Sequence, residues 1–481
     1  MTDAILFFPK TGPNSTAHLP MSLLMVAAPL VEHGYEVKII DQRLEDDWQE
    51  KLASALNGGV LLVGFSVLTG KQILYGLEAS KFIKENSNAK VVWGGVHPSL
   101  LPRQTLENHY IDFVIIGEGE QVFERLLEKL KNSDANYSDV DGLGYKKDSE
   151  IYINEQKDFI DLNALPSIPY NLVEVEKYVT KKSFASGNPG RNVAIYTSRG
   201  CPHRCAFCYN LKFNKRRWRG KSAEKVIIEL GHWIDRYNIN AFEIEDDEFF
   251  VDLNRVREIC LKIIEKGWQI EIFSSSRVNY LENMDDDFLK LLFRAGFKTL
   301  SFGVESGSPE IQKEIHKDIT NEQVFSAVRR LGKAGINSKY YFMCGFPGES
   351  IGQLYETIDL IYKMKQEDRR VRIPPWRIYT PYPGTELYEK SILSGWHPPK
   401  NLKAWANYDF ETANMPWLNR KKKVIIKNAA WMSKYVVLDN NAGGGIKYKL
   451  GRLFGKWIDF RWRHHWFFFA PERSILLLVK D

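Results

Sequence analysis

Three cysteines within eight residues constrain this chain most: Cys201, Cys205 and Cys208, in the run TSRGCPHRCAFCYN. Only five cysteines occur in the whole sequence, so this CxxxCxxC spacing is not a by-product of cysteine richness. Thiolates this close on one loop can hold three irons of a cubane iron–sulfur cluster. The fourth iron of a 4Fe-4S cluster would then lack a protein ligand and stay open to a small molecule. A structural zinc site wants four ligands, commonly at two-residue spacings. The nearest fourth candidate, His203, lies inside the loop and points elsewhere by spacing. A disulfide framework wants a larger, even set of cysteines in a secreted chain.

The run TSRGCPHRCAFCYN resembles the signature loop of the radical S-adenosylmethionine (SAM) enzymes. The resemblance implies that the free iron is chelated by the amino and carboxylate groups of SAM. It further implies that one electron from the cluster cleaves SAM to a 5′-deoxyadenosyl radical. Phe207, just before the third cysteine, belongs to the same pattern and is expected near SAM.

The rest of the chain accommodates such an enzyme. At 481 residues it exceeds one ordinary core, so several domains are expected. Hydrophobic content of 44% and aromatic content of 13% exclude a disordered chain. The opening MTDAILFFPK has no basic stretch ahead of an apolar one, so no secretory signal is expected there. No run of apolar residues is long enough for a membrane span. Few cysteines and a reduced cluster point to the cytoplasm.

Residues 1–131 alternate strands with helices. AILFFP, YEVKIID, VLLVGFS, KVVWGG and FVIIGEG read as strands, and MSLLMVAAPLVEHG as a helix ending at Gly34. This rhythm predicts a doubly wound, Rossmann-like α/β domain with a ligand site at the carboxyl ends of its strands. The pattern alone leaves open a flavin, a nucleotide or nothing. The segments LPMSLLMVAAPLVEHGYEVKIID, FSVLTG, WGGVHPSLLP and DFVIIGEGE together resemble the cobalamin-binding domain preceding the barrel in one class of radical SAM enzymes. On that resemblance Ser66, Leu68, Gly94, Gly95, His97, Gly117 and Glu118 are the expected cobalamin contacts. The D-x-H-x-x-G element that supplies a cobalt-ligating histidine in other cobalamin carriers is absent. His18, in the loop standing in its place, reads as an ordinary loop histidine. Cobalt is therefore expected to have no histidine beneath it.

Residues 132–191 read as a linker: a small hairpin, then the proline-bearing DLNALPSIPYNLV running extended over the surface. From 192 to 390 a strand–helix rhythm predicts a partial (β/α)6 barrel of the TIM type. VAIYTS delivers the cysteine loop at the carboxyl end of its first strand, where barrels place chemistry. AFEIEDDEFF sets Asp246, Asp247 and Glu248 at another strand end, as a catalytic cluster or as solvated acids. The resemblance assigns Asp246, Glu305, Gly345 and Pro347 to SAM contacts, the last two within the turn G-x-P-G-E. Lys317 reads as a surface charge, Tyr379, Tyr382 and Pro383 as pocket residues, and Cys260 and Cys344 as core thiols.

Residues 391–481 read as a separate helical region with an unusual end. From Lys447 to Asp481 eight Lys or Arg face three Asp or Glu, carrying +5 of the chain's net +6. Leu450, Leu453, Phe454, Trp457 and Ile458 repeat at helical spacing among further Trp and Phe residues. Such a tail suits peripheral contact with the inner face of an anionic membrane. Alternatively, its aromatics pack on the barrel; nucleic acid is the weakest reading, since no known module is followed.

The sequence thus points to a cobalamin-dependent radical SAM enzyme, fed electrons by a flavodoxin- or ferredoxin-like donor. Methylation of an unactivated carbon on a small or lipid-like substrate is favoured over oxidative cyclisation. RNA-modifying methylthiotransferases share the barrel motifs, but they carry further cluster cysteines near the N-terminus, and residues 1–200 here hold none. A cobalamin sensor without chemistry would not need the cysteine loop.

Overall fold

The computed structural model describes residues 2–12, 17–408, 415–437, 454–468 and 470–473. The first domain is built on β1 (Ala4–Phe8), β2 (Val37–Asp41), β3 (Leu62–Ser66), β4 (Lys90–Gly94) and β5 (Phe113–Ile115). These are parallel in the order β2-β1-β3-β4-β5. Ala4, Ile5, Leu6 and Phe7 on β1 are all buried, as a central strand covered on both faces requires. Gly64 on β3 is small because a Cβ there would run into the ring of Phe123 on the helix Glu120–Lys131.

The hairpin expected in the linker joins this sheet instead. β6 (Leu143–Lys147) pairs antiparallel with β5, and β7 (Glu150–Ile153) with β6, giving seven strands. Leu143, Gly144 and Tyr145 are buried, so the hairpin covers what would otherwise be an open edge. The proline-bearing segment is not a surface strap either. Tyr170 is buried with its ring 4.4 Å from Trp233, and its hydroxyl donates to Glu229. Tyr178 donates to Asp41 at 2.9 Å. One aromatic anchors on the barrel and the other on the first domain, because these rings carry too much apolar area to leave in water.

The second sheet contains six parallel strands and curls into a half-barrel. They are β9 (Pro189–Ile195), β12 (Ala241–Ile244), β13 (Glu271–Ser276), β14 (Phe297–Glu305), β15 (Asn337–Cys344) and β16 (Arg377–Ile378). β8 (Thr180–Lys182), supplied by the linker, adds an antiparallel edge beside β9. A two-stranded ribbon, β10 (Ser198–Arg199) with β11 (Arg219–Gly220), brackets the cysteine loop. The outer helices begin at side-chain caps; Thr320 with Gln323 and Ser350 with Gln353 form capping boxes.

The region after Ser391 is helical but not separate. Trp405 is buried against the first domain, its indole N–H donating to Gln104 at 2.7 Å. The helix Gly455–Arg463 buries Ile458, Arg461 and Trp462, and Trp462 donates to the carbonyl of Ile358 on the barrel helix Ile351–Glu367. Arg461 and Glu472 form a fully buried ion pair. Part of the tail is therefore core, as the packing alternative requires. Leu450 and Leu453 lie outside the described residues. Trp462→Ala should cost about 3–5 kcal/mol of stability, whereas exposed Trp457→Ala on the same helix should stay within about 0.5 kcal/mol. Denaturant titration of both variants checks this.

Candidate active site

A cavity of about 600 Å³ lies between the two sheets, a size usual for cofactor sites. One wall consists of the strand ends of the first domain: Ser66, Leu68, Gly94, Gly95, Gly117 and Glu118 all line it. The other wall is the barrel mouth, with Tyr196, Ser198, Tyr209, Asn214, Glu245 and Asp246. Gly95 has φ +95°, and a Cβ there would press on the backbone of Val67. Leu68 is 48% exposed, an apolar side chain presented to the cavity rather than to the core. A glycine-paved floor with an outward leucine fits the face of a large planar ligand such as a corrin. His18 also lines the cavity, and its carbonyl accepts from Arg43 at 2.7 Å.

His97 is the exception among the expected cobalamin contacts. It is 1% exposed and faces away from the cavity, toward Trp405, with ring centroids 5.8 Å apart. Its Nδ1 meets the Thr69 hydroxyl at 3.0 Å, and burial pushes its pKa down to about 3, so it is neutral. The glycine pair before it directs the chain into the helix Val96–Leu100, and that turn carries the imidazole into the interface with the C-terminal region.

On the barrel side, β9 ends in a loop held by backbone bonds and by side chains of the surrounding elements. Gly200 has φ +83°, and a Cβ there would strike the Arg217 carbonyl. Its N–H donates to Asp247 at 2.8 Å. Ala206 donates to the Ile315 carbonyl at 2.9 Å and accepts from Leu387 at 3.0 Å. The three thiols are thereby fixed on a rigid frame. No three His, Cys, Asp or Glu side chains among the described residues converge on a point suited to one ion. A cubane needs no such convergence, because each thiolate holds a different iron. As thiols, Cys201 and Cys208 are pushed up to about 12 by burial, so ligation must displace their protons. His203 is no fourth ligand: its Nε2 meets the Tyr280 hydroxyl at 2.9 Å.

Arg277, which sequence reasoning missed, is buried with Nη1 3.2 Å from the sulfur of Cys205. Its other nitrogen donates to the carbonyl of Lys317. Lys317 is itself buried, not a surface charge, and donates to Glu305 at 3.0 Å. Glu305 sits at the end of β14 with φ +68°, where a register shift turns the strand toward the site. Gly303 must lack a Cβ because Glu305 and Lys317 occupy that space. The sequence offered one signal for this chain of contacts, the glycines flanking Glu305; Arg277 gave none.

The acids after β12 divide by role. Asp246 accepts from the backbone N–H and hydroxyl of Thr197 and from the hydroxyl of Ser198, each at 2.6 Å. Both of its oxygens are engaged, so its visible role is to brace the strand that leads into the cysteine loop. Glu248 is buried and burial pushes its pKa up to about 8, which leaves it protonated at neutral pH. In the turn after β15, Gly345 and Gly348 have φ of +78° and +85°. The Gly345 N–H donates to Glu349 at 2.6 Å, and its carbonyl accepts from Trp417 at 2.8 Å. Pro347 lies between these glycines. Phe207 packs toward Phe346 of the same turn, with centroids 6.4 Å apart. Tyr382 approaches Tyr209 at 6.2 Å. Tyr379 does not line a pocket: it is fully buried beside Phe346.

A clamp joins the walls. Arg199, two residues before Cys201, binds Glu118 at 2.7 Å and also Glu120 of the first domain. Arg219 binds Glu118 from the other side of the ribbon at 2.8 Å. Both carboxylates are 3% exposed. Glu118 thus lines the cavity and fixes it to the cysteine loop.

Residues 195–361 match the Radical SAM superfamily, and residues 15–127 match the B12 binding domain. Over 404 residues the chain is 32% identical to an uncharacterized methyltransferase of Pyrococcus horikoshii, covering 83% of each protein. The chain belongs to the cobalamin-binding radical SAM enzymes. The cofactors of this family are a 4Fe-4S cluster, SAM and cobalamin. The chain is also 29% identical, over 66% of its own length and 63% of the other's, to the anaerobic magnesium-protoporphyrin IX monomethyl ester cyclase of Synechocystis. Its fold matches that of the radical SAM methyltransferase TsrM from Kitasatospora setae, solved with cobalamin and an iron–sulfur cluster bound. There the TM-score is 0.70, at 16% identity and with 99% and 100% of the two chains covered. In this cobalamin-binding radical SAM protein, no helix among the described residues is long and apolar enough to cross a membrane.

Proposed function

We propose that the enzyme methylates an unactivated carbon of a small or lipid-like molecule. The observation that carries this reading is that one cavity is bounded both by the expected cobalamin loops and by the cysteine-loop flank, so that one substrate can meet both cofactors. When bound, the cluster supplies the electron that splits SAM, and the cobalamin supplies the methyl group. The chain's own residues give the frame. Arg277 compensates charge at Cys205, and Lys317 holds Glu305 at the strand end. The Arg199 clamp fixes the distance between the walls. Tyr209 and Tyr196 supply aromatic faces to the barrel wall of the cavity. Electrons arrive from a small cytoplasmic flavodoxin- or ferredoxin-type protein, and no nucleic acid takes part.

Similarity to the P. horikoshii methyltransferase supports methyl transfer; similarity to the Synechocystis cyclase keeps oxidative cyclisation as the second reading. Anaerobic incubation of reconstituted enzyme with methyl-labelled SAM and fractionated extracts, followed by mass spectrometry, separates them. A product gaining one labelled methyl group supports the proposal. A product that loses hydrogen without gaining label supports the cyclase.

A further inference from the structure

The helix Gly455–Arg463 has a second face that the core does not use. Ile458, Arg461 and Trp462 point inward. Trp457 and Phe460, on the opposite side, are 42% and 41% exposed and stack with centroids 5.8 Å apart. Trp466, 43% exposed, meets Trp457 edge-on at 5.4 Å, and Phe468 is 48% exposed nearby in the chain. These rings cannot simply collapse inward. The guanidinium of Arg461, locked to Glu472, lies 6.0 Å from the Trp457 ring and 5.5 Å from that of Trp466 and props both outward.

The remaining exposed positions on that face are Lys456, Arg463 and His464. The one acid of the helix, Asp459, is half-buried and accepts from the backbone of Val437. The basic helix Arg420–Met432 adjoins the patch, with Lys421 over the Phe468 ring at 5.3 Å. Contiguous exposed aromatics on a monomer mark an interaction site. Indole and phenyl groups flanked by exposed cations, with the nearby acids engaged (Asp459 with Val437, Glu472 with Arg461, Asp359 with His465), are complementary to an anionic bilayer surface: the rings enter the headgroup layer and the cations pair with phosphates.

The geometry points to this face as a docking surface for an anionic lipid bilayer. The helix sits on the outer barrel helix Ile351–Glu367, so docking would leave the cavity between the sheets unobstructed.

The test is sedimentation of the full-length, reconstituted protein with vesicles of phosphatidylcholine alone or mixed with phosphatidylglycerol. Binding to the mixed vesicles at low salt is expected. It should be weaker by about tenfold or more on neutral vesicles, and should fall as salt rises. A blue shift of tryptophan emission should accompany it. Trp457→Ser with Phe460→Ser should abolish binding. Lys456→Glu with Arg463→Glu, which touches no core residue, should lower it by about tenfold or more with iron content unchanged. The inference is overturned if the native protein stays in the supernatant or binds neutral and anionic vesicles equally. It is also overturned if charge reversal leaves binding unchanged, or if an oligonucleotide binds this face while vesicles do not.

Discussion

Replacing Cys201, Cys205 and Cys208 together by Ala abolishes both the broad visible absorbance of the cluster and all reductive cleavage of SAM. Each thiolate holds one iron, and loss of any one leaves the cubane short of a ligand. The variant still folds, because the loop is also held by the backbone bonds of Ala206 and by the Gly200 N–H bond to the Asp247 carboxylate. Circular dichroism and thermal unfolding should therefore resemble those of the cluster-free native chain. Cys260→Ala and Cys344→Ala should keep cluster and cleavage, since both thiols are buried in the core away from the loop. Retention of cluster iron by the triple variant after reconstitution would remove the basis for the assigned ligands.

The second large effect is expected at Arg199. Arg199→Met leaves Glu120 buried without its cation and Glu118 with Arg219 alone. Removing one partner of a buried ion pair costs about 3–5 kcal/mol, because the remaining charge stays desolvated. The loss should exceed simple destabilisation, since Glu118 lines the cavity and the clamp ties its two walls. Cobalamin retained after gel filtration should fall along with the unfolding midpoint. Arg199→Lys keeps the charge but cannot bridge two carboxylates, so it should lie between. Native midpoint and cobalamin content in Arg199→Met would show that the clamp is dispensable.

Both domains were legible in the sequence because strand–helix alternation and cysteine spacing are local signals. The glycine-rich strand ends at Ser66, Gly94 and Gly117 were found for the same reason. Long-range partners were not. Nothing near Arg277 in sequence marks it as the neighbour of Cys205, seventy-two positions away. Lys317 looked like any helix-flanking charge until the turn in β14 brought Glu305 beside it. His97 followed a motif whose glycines do face the cavity, yet its own side chain was claimed by Trp405 from the far end of the chain. The tail left two readings open, membrane contact or packing on the barrel, and the fold divides its aromatics between a buried side at Trp462 and an exposed side at Trp457, because helical spacing alone does not say which ring the barrel takes.

The most direct test of the central claim counts products from SAM. Reconstituted enzyme is incubated anaerobically with reductant, methyl-labelled SAM and a substrate-bearing extract, beside the Cys208→Ala variant. The account predicts S-adenosylhomocysteine and 5′-deoxyadenosine in about equal amounts from the native enzyme, no 5′-deoxyadenosine from the variant, and the label in a new carbon–methyl product from the native enzyme alone. 5′-Deoxyadenosine without S-adenosylhomocysteine would contradict methyl transfer, and formation of neither by the native enzyme would contradict the account as a whole.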